Sequence, residues 1–185
     1  MENISRLQDV IESKILNERK VFMWGQVDDD SAKYVVERLL YLDLLAPEEE
    51  IQLIINSPGG YVTSGFAIYD TIKGLKSPVS TVCSGLAASM GSILLSAGAK
   101  GRRFVLPNAR VMIHQPSGGS GGTAADIEIQ MQEIIKTKNL GAKILADNCG
   151  QSIEKVMKDF NRDYWMSAEE SVEYGIVDGV MDKLV

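Results

Sequence analysis

Apolar positions recur along the chain with two alternating periods. Ile4, Leu7, Ile11 and Ile15 fall at helical spacing and predict a short amphipathic helix over residues 3–18, followed by an apolar strand from Val21 to Trp24. Asp28, Asp29, Asp30 and Ser31 supply the N-cap and first-turn acids of a helix that runs through Leu45, where Pro47 ends it. Ile51–Ile55 reads as a strand, Asn56-Ser57-Pro58-Gly59-Gly60 as a turn, Thr63–Leu75 as a helix and Val79–Cys83 as the next strand. After a Gly/Ala/Ser turn, Met90–Ala97 reads as a helix, then Phe104–Leu106 and Val111–His114 as a strand pair around Pro107-Asn108. The longest helical pattern runs from Ala124 to about Asn148, with Ile127, Met131, Ile134, Ile135 and Leu145 on its apolar side. Ser167-Ala168-Glu169-Glu170 is a capping box that opens a short helix; Gly175 is placed to stop it, and Ile176-Val177 to start a last strand. Strands alternating with helices imply an α/β fold with a largely parallel sheet.

Composition narrows the class. The chain has 185 residues, 45% hydrophobic and 24% charged, enough for one compact domain over residues 1–185 with a sizeable core. The glycine run Gly118-Gly119-Ser120-Gly121-Gly122 could be a linker, but the sequence after it is too short for a second core, so it reads with the long helix as a projecting arm. No internal repeat is visible. The formal net charge is -6 and no Lys/Arg block occurs, which argues against an electrostatic grip on nucleic acid or anionic lipid. Residues 77–99 are uncharged and long enough to span a membrane, yet serines, glycines and Pro78 divide them into a buried strand-turn-helix. The opening Met1-Glu2-Asn3 is not that of a secretory signal. Cys83 and Cys149 form no CxxC, so zinc and thioredoxin chemistry lack support and a reducing, cytoplasmic setting is expected.

Candidate chemistry centres on the single histidine, His114, at the end of an apolar strand. Any mechanism that needs imidazole as general base must use it; the plainer reading is a satisfied strand-end residue. Ser89, flanked by Ala87, Ala88 and Gly91, sits between a strand and a helix. A sharp turn there would expose the hydroxyl and set helix-start amides beside it, close to a nucleophile elbow. A packed N-cap serine fits the same pattern. Gly59 and Gly60 permit close backbone approach to a ligand, or simply make a tight turn.

Taken together, INSPGG (Ile55–Gly60), GLAASMG (Gly85–Gly91), LPNARVMIHQP (Leu106–Pro116) and RDYWMSAEESVEYGIVD (Arg162–Asp178) resemble the Clp protease proteolytic subunit, a self-compartmentalised serine peptidase. The resemblance runs from about Val21 to Val180 without insertion or deletion, and implies a ClpP/crotonase-like fold. It implies Ser89 as nucleophile, His114 as general base and then acid, Asp163 as the carboxylate that orients the imidazole, and Gly60 and Met90 as backbone N–H donors to an oxyanion. Spacing alone would not have picked Asp163 from the acids of residues 154–159, which read as a solvated helix face. The resemblance further implies that residues 115–148 form a handle by which two heptameric rings stack as a tetradecamer. An AAA+ unfoldase partner, which uses the ATP, would deliver polypeptide substrates to it for protein quality control. No metal or organic cofactor is expected.

Several positions depart from the family pattern. The first helix opens the sequence, so the preceding axial-loop segment is expected to be missing. Gln52, Ile54 and Gly74 stand where many members carry aromatic residues of the unfoldase-docking pocket, and Asn161 stands where an acid is usual in the network that links the rings. An alternative reading is therefore a mainly structural or regulatory subunit of a mixed barrel with a paralogue. A crotonase-type acyl-CoA enzyme is a second alternative, although no acid–base pair of carboxylates is identifiable for it.

Overall fold

The elements follow in the order α1 (Glu2–Asn17), β1 (Lys20–Trp24), α2 (Asp29–Leu45), β2 (Ile51–Ser57), α3 (Val62–Gly74), β3 (Val79–Ala88), α4 (Met90–Ser96), β4 (Arg103–Val105), β5 (Arg110–Ile113), α5 (Ala124–Cys149), α6 (Ile153–Asp159), β6 (Tyr164–Met166), α7 (Ala168–Tyr174) and β7 (Gly179–Val180). This computed structural model describes residues 2–119 and 121–184. Met1, Ser120 and the side chains of residues 2–6, including the Ile4 expected on the inner face of α1, lie outside the described residues.

The expected α/β fold is present. The sheet has seven strands in the path β1-β2-β3-β4-β7, and β5 joins β3 to β6. Every pair is parallel except β5 with β6. In β2 the side chains of Ile51, Leu53, Ile54 and Ile55 are all buried, the near-continuous apolar run of a covered parallel strand rather than an alternating one. The Asp28 carboxylate accepts from the Ser31 N–H at 2.9 Å, which makes Asp28 the N-cap of α2, and Ser31 Oγ accepts from the Asp28 N–H, also at 2.9 Å, which completes a capping box.

The main correction concerns β3. Instead of turning after Cys83, it runs on to Ala88, with Gly85 at φ +95° absorbing an irregularity of register opposite β2. Its first half pairs with β4 (Thr81 opposite Arg103) and its second half with β5 (Ala88 opposite Met112). Small residues read as a turn are thus the part of the strand where two neighbours diverge. The expected pairing of β4 with β5 is corrected too, since each lies against β3. Asn56 and Ser57 belong to β2 rather than to a turn, and the last strand is Gly179–Val180. Ile176 and Val177 are buried in the bend before it. Residues 154–159 fall in α6, as a helix face.

The core lies between the sheet and α2, α3, α4 and the second half of α5. Within α5 the buried residues are Gly141, Ala142, Leu145 and Ala146, whereas Ile127, Met131 and Ile135 are exposed. Of the predicted apolar stripe, only Leu145 is buried within this chain. Arg103, 5% exposed, ties β4 to the approach to β7: its Nε donates to Asp178 Oδ2 at 2.9 Å and its Nη1 to the Asn148 carbonyl at 2.7 Å.

Candidate active site

Ser89 stands between β3 and α4 with φ +54° and ψ -122°, a conformation a residue with a side chain rarely adopts. The surroundings hold it there. Its N–H donates to the Met112 carbonyl at 2.9 Å, and its own carbonyl accepts from the Ser92 N–H at 3.0 Å and the Ser92 hydroxyl at 2.6 Å. The neighbouring glycines are required by space: a Cβ on Gly59 would lie 2.7 Å from Ser89 Cβ, and one on Gly91 would lie 3.1 Å from the Ser57 carbonyl. Ser57, which sequence reasoning passed over, accepts the Gly59 N–H on its Oγ at 3.1 Å and so holds this loop.

His114 immediately follows β5, and its Nε2 is 2.9 Å from Ser89 Oγ. Its Nδ1 is 2.8 Å from Asp163 Oδ1. With Nδ1–H donating to the carboxylate, Nε2 is left free to accept the serine proton. Asp163 lies in the short connection between α6 and β6, and the antiparallel register that sets Ile113 opposite Tyr164 carries it alongside His114. Asp159, by contrast, pairs with Lys155 at 2.7 Å on the face of α6. Ser89, His114 and Asp163 therefore stand in hydrogen-bonded sequence, an arrangement compatible with acyl transfer by a serine.

Gly60 has φ +155°, and a Cβ there would lie 2.1 Å from the Val27 carbonyl oxygen. That oxygen accepts from the Tyr61 N–H at 2.7 Å, while the Val27 N–H donates to the Gly59 carbonyl at 2.8 Å, so the loop is stitched to the chain after β1. Among the described residues neither the Gly60 N–H nor the Met90 N–H has an acceptor. Both are free to take one from a ligand, and the built Gly59 Cβ lies 2.9 Å from Met90 N, so the two segments adjoin. Beside Ser89 and His114 opens a small pocket walled by Val62, Phe66, Ile93, Pro116 and Thr137. It is not legible in the sequence, because its walls come from α3, α4, the segment after β5 and α5.

Other reactive groups are removed by their settings. Burial pushes the thiols of Cys83 and Cys149 up to about 12, against the nearby cations Arg103 and Lys155 in the case of Cys149. Among the described residues no group of His, Cys, Asp and Glu could hold a metal ion, and no helix is long and apolar enough to cross a membrane. A larger cavity, about 460 Å³, lies away from Ser89 and is walled by Lys73, Lys100, Arg103, Asn148 and Asp178; Lys73 donates to the Ala97 carbonyl, and Arg103 to Asp178 and the Asn148 carbonyl.

The departing positions fall in different settings. Ile54 is 2% exposed, Gln52 is half-buried, and Gly74 ends α3 with open space around it. Asn161 accepts from Gln115 Nε2 on its backbone carbonyl at 2.8 Å and on Oδ1 at 3.4 Å. In comparison with known families, a model described as Clp protease matches residues 3–184.

Proposed function

The chain belongs to the Clp protease family, and from that premise, which makes it a Clp-type serine peptidase, we propose that its active site is built from Ser89, His114 and Asp163, with Gly60 and Met90 as oxyanion donors. The observation that carries the reading is the hydrogen-bonded chain from Ser89 Oγ through His114 to Asp163. Ser89 Oγ attacks the scissile carbonyl carbon while His114 Nε2 takes its proton. The carbonyl electron pair moves to oxygen, where the N–H groups of Gly60 and Met90 receive the charge. Collapse of the tetrahedral intermediate breaks the C–N bond, and His114 returns the proton to the leaving amine. Water, deprotonated by His114, then cleaves the acyl-serine. Asp163 keeps Nδ1 protonated and stabilises the imidazolium in each half-reaction. The apolar pocket beside Ser89 supports a preference for apolar side chains on the acyl side of the cleaved bond.

The whole chain acts as one peptidase domain, with residues 115–148 as the handle of stacked heptameric rings. The exposed apolar side chains of Ile127, Ile129, Met131 and Ile135 support an assembly that covers them. An AAA+ unfoldase supplies unfolded polypeptide and uses the ATP, and the peptidase itself needs no metal or organic cofactor. The setting is the cytoplasm. A mixed barrel with a paralogue is the second reading, supported by the lack of aromatic anchors at Gln52, Ile54 and Gly74. The crotonase-type reading is not carried forward, since the family matched is Clp protease.

The test is a fluorophosphonate probe on the native protein, with labelling and mass measured together. Expected is labelling of ring-sized material that Ser89→Ala abolishes. Labelling of ring-sized Ser89→Ala protein, or no labelling of the wild type, overturns the site assignment.

A further inference from the structure

We propose that Gln115 is a positioning residue that sets the His114–Asp163 hydrogen bond by strapping the loop before Asp163 to the chain after His114. The inference rests on the reading of Ser89, His114 and Asp163 given above. Asp163 has a side chain 60% exposed and sits in a connection without regular structure, so packing alone leaves it free to turn. The bonds that pin this connection are few. The Asn161 N–H reaches the Lys158 carbonyl only at 3.4 Å. Gln115 makes two closer ones: its N–H donates to the Phe160 carbonyl at 2.5 Å and its Nε2 to the Asn161 carbonyl at 2.8 Å, with Asn161 Oδ1 a further acceptor of Nε2 at 3.4 Å.

One residue thus sits next to the base along the chain and holds the loop that carries the acid. On its other side the β5–β6 register ends at Ile113 opposite Tyr164, so the His114–Asp163 contact is bracketed between a strand pair and the Gln115 strap. The chemistry of the side chain matters. The targets are a backbone carbonyl and an amide oxygen, both acceptors, so the strap requires an N–H donor of this length. It also lies wholly within one chain, and Asn161 contributes a neutral acceptor where a carboxylate would draw in a cation instead.

The experiment compares Gln115→Met, of similar length without the donor, with the wild type on a fluorogenic peptide. Expected is a fall in kcat of about tenfold with KM within about twofold, the size of losing one neutral hydrogen bond that orients a catalytic group. In an Asp163→Asn background the same change should cost less than about twofold, because the strap acts only through the carboxylate. Wild-type kcat in Gln115→Met, an equal loss in the Asp163→Asn background, or an effect confined to KM overturns the inference. Should Gln115→Met fail to fold by circular dichroism, Gln115→Lys, which retains a donor, and Gln115→Ala decide. Recovery to within about threefold of wild type in the lysine variant alone supports the strap, and equal activity of the two overturns it. Peptidase activity that survives Ser89→Ala would overturn the site itself, whereas Ser89-dependent activity indifferent to Gln115 overturns only the strap.

Discussion

A Cβ placed on Gly60 would lie 2.1 Å from the carbonyl oxygen of Val27. That oxygen is already held by the Tyr61 N–H, so it cannot retreat without undoing the stitch between the glycine loop and the chain after β1. Gly60→Ala must therefore move the loop and swing the Gly60 N–H away from Ser89. Loss of one oxyanion donor costs about 10²- to 10³-fold in kcat, roughly 2.7–4 kcal/mol. The expected outcome is a loss of that order in peptide hydrolysis by protein that still assembles. Turnover within about threefold of wild type would remove Gly60 from the oxyanion site.

The conformation of Ser89 carries a stability cost separate from its chemistry. At φ +54° and ψ -122° a side chain is strained by about 1–3 kcal/mol, whereas glycine bears little of that penalty. Ser89→Ala and Ser89→Gly should both lose peptidase activity, but only the glycine variant relieves the strain. Against it stands the greater entropy of glycine in the unfolded chain, up to about 1 kcal/mol. The balance favours Ser89→Gly over Ser89→Ala by about 1 kcal/mol in chemical denaturation. A glycine variant less stable than the alanine one would mean that the turn is relaxed.

How far the sequence could be read follows from the range of the interactions involved. Local signals were legible: the N-cap and first-turn acids of α2, the Ser167/Glu170 box and the Gly175 stop depend on neighbours within one turn, and the structure has all of them. The path of β3 was not. Gly85 and Ala87 look like turn residues until β5 is brought alongside Leu86–Ala88, a pairing made across more than twenty residues of sequence. The site shows the same division. His114 stood out as the single histidine and Ser89 by its small neighbours, but Asp163 needed the resemblance, because its place beside His114 depends on the β5–β6 register. The exposed stripe of α5 was read as apolar, and periodicity alone does not tell whether the covering surface belongs to the same chain.

Acid should weaken the fold through Asp178. Burial raises the affinity of this carboxyl for a proton, but hydrogen bonds and charge from Arg103 outweigh it and hold the group below the ordinary carboxylate range. A carboxylate depressed in the folded state contributes stability above its unfolded value, about 3.9, and loses it as pH falls through the lower folded value. At neutral pH, Asp178→Asn leaves the Arg103 guanidinium buried without its counter-charge, which should cost about 3–5 kcal/mol. Below about pH 4 the wild type begins to lose this contribution, and the two unfolding curves should draw together as pH falls further toward the depressed folded value. Equal melting temperatures at pH 7 would show that the Asn148 carbonyl alone suffices for Arg103.

On the proposed partnership with an unfoldase, an aromatic anchor can be added at Gly74 and not at Ile54. Ile54 is 2% exposed, so an aromatic ring there would overpack the region between β1 and β2 and destabilise the fold by about 1–3 kcal/mol. Gly74 ends α3, and a Cβ on it meets nothing within 4 Å, so Gly74→Phe projects a ring into open space. A well-placed aromatic anchor contributes roughly 2 kcal/mol, about thirtyfold in affinity, and repetition around a ring multiplies the gain. Alone, the wild-type chain should bind an AAA+ unfoldase weakly and degrade a folded, tagged protein slowly, and Gly74→Phe should raise both. Hydrolysis of a short peptide, which reaches Ser89 without the partner, supplies the reference rate. The measurement is ATP-dependent degradation by each preparation with every unfoldase of the same cell, alongside its mass by analytical ultracentrifugation. Efficient degradation by a wild-type homo-tetradecamer, with no gain from Gly74→Phe, would mean that docking does not use this position and that the chain needs no paralogue.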